Sequence, residues 1–78
     1  MAFVRTHIDP YDLKDIKVKL KKEIKTTLGY FETGTKVSII SVSKLINNNY
    51  YIIFEDSEGN VGFIEDCKDN MLDYFEFI

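Results

Sequence analysis

Few side chains in this 78-residue chain are of the types that do covalent chemistry, and they do not stand together. His7 and Cys67 are the only histidine and the only cysteine. General base catalysis by His7 needs a nucleophile or an acidic partner, and no spacing in the sequence implies one. Cys67 follows Glu65 and Asp66, and neighbouring carboxylates work against a thiolate instead of activating it. One histidine and one cysteine cannot assemble a Cys/His metal cluster. Asp56, Glu58, Asp66 and Asp69 fall at turns, where acidic side chains commonly bond the local backbone. Their spacing matches no calcium loop. No glycine loop of the phosphate-cradling kind occurs. The expectation is a chain without catalysis, metal or cofactor.

Two sets of residues carry binding chemistry instead. Lys17, Lys19 and Lys21 alternate with apolar residues, with Lys22 and Lys25 close behind. On a strand the first three line one face, which suits non-specific contact with nucleic-acid phosphates. The same lysines would also serve as a solvated face that protects an edge strand from aggregation. Tyr30, Tyr50 and Tyr51 form the second set, an aromatic surface for an extended peptide. Residues 1–44 hold nine Lys and Arg against five acids, near +4, and residues 45–78 hold Lys68 against eight acids, near −7. Such a split marks either a polyanion-binding face or two halves that neutralise each other within one fold.

The elements that must position these residues are mostly strands. β-branched and aromatic residues fill Thr35 to Lys44, Tyr50 to Phe54 and Val61 to Ile64, while Gly, Asn, Asp and Ser fill the gaps. Asn47-Asn48-Asn49 reads as a loop, and Gly59 as the φ > 0 residue of a tight turn. Gly62, inside a strand, requires a close neighbour such as an aromatic ring. A change of apolar phase near Ile39-Ile40 predicts a bulge. Residues 13–28 are ambiguous. Ile16, Val18 and Leu20 fit a strand after a helical turn at Pro10 to Asp15. Leu13, Ile16, Leu20, Ile24 and Leu28 fit a helix with Asp9 as its cap. The strand is preferred. Asp66 to Asn70 reads as a helical turn, with Met71 and Leu72 dropping onto the core, and Phe75 to Phe77 as a short last strand. The expected core is Ile16, Val18, Leu20, Val37, Ile39, Ile52, Phe54, Val61 and Phe63. A chain of this length makes one small domain, here residues 14–78 after a leader, 1–13.

Three segments resemble the SH3-like small barrels, the bacterial SH3 type in particular. They are Tyr30-Phe31-Glu32-Thr33-Gly34-Thr35-Lys36-Val37-Ser38-Ile39, the aromatic-led Tyr50-Tyr51-Ile52-Ile53-Phe54, and Glu58-Gly59-Asn60-Val61-Gly62-Phe63-Ile64. The chain lacks the Trp found in many members, and Lys17 to Lys22 stands where the family has a Leu-Asn-Val-Arg stretch. The Lys/Asn/Ile-rich style resembles that of small orphan proteins of phages and mobile elements. The resemblance implies a mainly β fold, an SH3-like barrel of five to six short strands with one or two helical turns. The alternative is an α+β fold with a helix over about residues 10–28. It further implies a small binding module that recognises a protein partner; the two charge patches add self-association as a homodimer, and the lysine-rich first strand makes nucleic acid the alternative ligand. No apolar run reaches the roughly 20 residues of a membrane span, and no secretory signal pattern is present. The expected location is the cytoplasm, away from membranes.

Overall fold

Alternation of lysine with apolar residues settles the ambiguous first third in favour of strands. The computed structural model describes residues 9–27 and 29–78; the expectations attached to His7, to residues 1–8 of the leader and to Leu28 fall outside them. The helix considered over residues 10–28 is replaced by one turn of 3-10 helix, Pro10–Leu13. Asp9 caps it by accepting from the Tyr11 N–H at 3.0 Å, and Asp12 accepts from the Asp9 N–H at 3.0 Å. Asp15 then turns to φ 67°, a left-handed conformation that cannot continue a helix. Its N–H donates to the Ile39 carbonyl at 2.8 Å, and Ile39 N–H donates to Ile16 at 3.0 Å. The chain thus leaves the turn already tied to a distant strand.

Seven strands follow: β1 Lys17–Leu20, β2 Ile24–Thr26, β3 Gly29–Phe31, β4 Lys36–Lys44, β5 Tyr50–Asp56, β6 Val61–Asp66 and β7 Phe75–Phe77, with one short helix, α1, Lys68–Leu72. The fold is mainly β. Five strands form an antiparallel sheet in the order β6-β5-β4-β1-β7, and β2 pairs only with β3. The β2–β3 hairpin raises the count above the five or six strands expected. It turns at Thr26, whose hydroxyl bonds both the N–H and the carbonyl of Gly29 at 3.1 and 3.2 Å. No ladder joins the two sheets among the described residues, so the expected closed barrel is not formed.

One buried cluster lies under both sheets. Val18 and Leu20 of β1, Val37 and Ile39 of β4, and Tyr50, Ile52 and Phe54 of β5 supply most of it. The register slips between Ile39 and Ser41. This bulge leaves Ile40 outside and brings Val42 opposite Ile52, against the core. α1 closes one end with Met71, which is fully buried. The cluster corrects the expected core at three residues. Val61 and Phe63 are only half-buried and face outward, while Gly62 and Ile64 face inward; Ile16 is also only partly buried. The cause is steric. The register pairs Phe54 with Gly62, and a Cβ on Gly62 would lie 2.5 Å from the Phe31 ring and 2.7 Å from the Phe54 ring. Only glycine leaves room for both rings there.

Gly62→Ala is therefore expected to lower stability by about 1–3 kcal/mol, the usual result of overpacking a filled site. Urea denaturation followed by circular dichroism would measure it, and an unchanged midpoint would mean that the two rings have space to move.

Candidate functional site

The β2–β3 hairpin sorts its residues by strand alternation. Ile24 and Phe31 stand opposite one another and are buried, while Lys25 and Tyr30 stand opposite one another and are exposed. The Tyr30 ring is 53 % exposed. Its hydroxyl donates to the Glu23 carboxylate at 2.6 Å, and Lys25 Nζ lies 5.9 Å from its centroid. The hydrogen bond to Glu23 raises the Tyr30 phenol above the usual tyrosine range, with nearby negative charge adding to the effect. The side chain is held between an acid and a base, yet about half of the residue remains open to solvent.

Beside it lies a shallow depression of about 250 Å³ between Glu23, Ile24 and Lys25 of the hairpin segment and Phe63, Ile64 and Glu65 of β6, with Tyr74 also in its wall. Phe63 stacks on Tyr51 with centroids 5.7 Å apart. Lys22 Nζ sits 4.9 Å from the Tyr74 centroid. The Tyr74 hydroxyl donates to Asp66 at 3.2 Å. Burial pushes the Tyr74 phenol up, and Asp66 adds to the shift. Asp66 is itself held below the usual carboxylate range, first by the Cys67 N–H and then by Asn70 and Tyr74. The surface is aromatic and of mixed charge, suited to holding a peptide by ring contacts and paired charges.

The three candidate tyrosines do not share one face. Tyr30 is tied to the depression through Glu23 and Lys25 in its wall, and Tyr51 through Phe63. Tyr50 is 5 % exposed, and its assignment to a binding surface is corrected. It falls on the inward phase of β5, with Tyr11 edge-on to it at 5.5 Å and Lys44 Nζ at 5.8 Å. The lysines divide as well. Lys17 and Lys19 lie on the outer face of the large sheet, where Lys19 pairs with Lys36 on one side and Glu76 on the other. Lys21 and Lys22 lie beyond the end of β1, and Lys25 is on the hairpin. β1 is flanked by β4 and β7, so its lysines do not guard an edge. A second depression, about 190 Å³, mixes Lys17 and Lys36 with Glu55 and Asp56.

Glu23, Phe63 and Tyr74 were not among the candidates. The first two could have been found by centring a hairpin on Thr26 to Gly29 and by giving Gly62 the inward position. Among the described residues, no group of three His, Cys, Asp or Glu could hold a metal ion, and no helix is long and apolar enough to cross a membrane. The chain matches no family model, no curated protein and no solved structure in the comparisons made.

The Asp66 network sets an acid limit. Because its folded carboxyl titrates below the ordinary range, its stabilisation is complete above the unfolded pKa, about 4, and is lost as pH falls through the folded value. Asp66→Asn should flatten the loss of thermal stability below that pH. Parallel acid-limb curves for the variant and the wild type would assign the stabilisation elsewhere.

Proposed function

We propose that this chain is a small, non-catalytic protein-binding module of SH3-like architecture that recognises its partner at the hairpin depression. The exposed Tyr30, anchored by its hydrogen bond to Glu23 in the wall of the depression, carries the reading. An aromatic ring that large and that accessible, pinned by Glu23, loses little conformational freedom when it docks. The SH3-like part is supported by the strand order β6-β5-β4-β1-β7, by a hairpin inserted between β1 and β4, and by a helical turn before the last strand. The family comparison rests on that order and on the three sequence segments. The proposed setting is the cytoplasm of a bacterium or phage-infected cell, with another protein or a second copy of the chain as partner.

Nucleic acid is the second reading. Its support is the juxtaposition of Lys17, Lys19 and Lys36 on one sheet face. Glu55 and Glu76 flank these lysines in the same rows, which weakens the field a phosphate backbone would meet.

One set of measurements separates the two. Affinity capture with wild type and with Tyr30→Ser should retain a protein that the folded variant loses. Fluorescence anisotropy with a mixed-sequence oligonucleotide at low salt should show no binding. Equal capture by both proteins contradicts the Tyr30 site. Micromolar binding of the oligonucleotide that collapses with salt and is lost in Lys17→Glu/Lys19→Glu transfers the function to the lysine face.

A further inference from the structure

Strand alternation gives the large sheet two faces, and the outer one is divided. A sheet face left to water is ordinarily polar. On β1 that holds, with Lys17 and Lys19 outward. On β4, β5 and β6 it does not. Ile40, which the bulge turns out, is 41 % exposed. Tyr51 and Ile53 of β5 and Val61 and Phe63 of β6 alternate with buried neighbours and stand outside the core cluster, each partly open to solvent. Ile53 pairs with Phe63, and the Tyr51 ring stacks on Phe63 with centroids 5.7 Å apart. These side chains make one apolar patch across three neighbouring strands. Charge lies next to it. Lys17, Ser38, Glu55 and Val61 share one cross-strand row. Lys19 and Lys36 form the next row, level with the β5–β6 turn and its exposed Glu58.

We infer that this face binds a second copy of the chain, face to face about a two-fold axis that runs along the strands between β4 and β5. The inference does not depend on the Tyr30 site, and Phe63 marks the border between the two surfaces. Packed sheets keep their strands within about 30° of one another. Such an axis lays β4 on the other copy's β5 and β1 on its β6, and it keeps the rows level. Ile40 then meets Ile53 of the other copy, and Ile53 meets Ile40, as a two-fold contact requires. The same operation carries Lys17, Lys19 and Lys36 of each copy towards the Glu55, Asp56 and Glu58 of the other. A two-fold axis across the strands would superpose each strand on its own equivalent and take the lysines of β1 and β4 away from those acids. Charge complementarity thus selects one arrangement. It also names the occupant, since the cations and the acids they meet are both on this chain.

Analytical ultracentrifugation over a concentration series tests it, with the folding of each variant checked by circular dichroism. The wild type should dimerise below about 1 mM and dissociate as salt rises. Ile40→Glu, at an exposed position, should weaken the dimer about tenfold or more. Lys36→Glu and Glu58→Lys should each dimerise more weakly than the wild type. An equimolar mixture of those two variants should recover the association, because both contacts of the mixed pair then join opposite charges. Tyr30→Ser should dimerise as the wild type does, whatever partner it loses at the hairpin. The inference is overturned by a monomer at every concentration, by a dimer that Ile40→Glu leaves intact, or by charge variants that stay apart when mixed. Loss of the dimer in Tyr30→Ser would place the contact at the hairpin and overturn it too.

Discussion

The missing side chain at Gly62 is the constraint on which the rest of the structure depends. The Phe31 and Phe54 rings meet edge-to-face at 4.9 Å, in the space where a Cβ would stand. Phe54 belongs to the large sheet and Phe31 to the hairpin, so this one contact joins the two. Among the described residues no ladder joins the sheets, and side-chain packing holds the hairpin beside β6. The consequences reach the surface. Once Gly62 faces inward, Phe63 must face outward, where it stacks on Tyr51 and forms part of the depression. With Phe31 inward, Tyr30 must point to solvent. The exposed aromatic surface is the outward half of the alternation whose inward half builds the core.

Charge follows the same geometry. The basic and acidic halves of the chain meet where β1 pairs with β7, and Lys19 stands between Lys36 and Glu76. The charge split is thereby partly neutralised within the fold, and the lysines do not remain one continuous stripe. Exposed pairs of this kind add little stability. They leave Glu76 exposed on β7 and mixed charge at the hairpin.

Much of the fold was legible because local rules decided it. Pro10 after Asp9 marked the helical turn, and the phase change at Ile39-Ile40 marked the bulge. Gly59 has φ 83°, as its turn demands. The Asn47 to Asn49 loop carries its left-handed residue at Asn48, φ 70°. What was not legible was decided by contacts between distant residues. Val61 and Phe63 look like core by composition, and only the Phe54–Gly62 register turns them outward. Tyr50 is the opposite case, since it shares the strand phase of Ile52 and Phe54, both expected in the core, and alternation alone already turned it inward. The depression needed Glu23, Phe63 and Tyr74 together, residues that no local pattern connects. Barrel closure likewise depends on whether the hairpin bonds to β6 or only packs against it.

The central claim is that Phe31 and Phe54, meeting over Gly62, fix the hairpin to the sheet and so preform the exposed aromatic surface. A double-mutant cycle with Phe31→Leu, Phe54→Leu and the pair, read by urea denaturation, tests it most directly. The account predicts a coupling of about 0.5–1.5 kcal/mol between the two positions. Additive effects would show that the rings do not act on each other, and the hairpin would need another anchor.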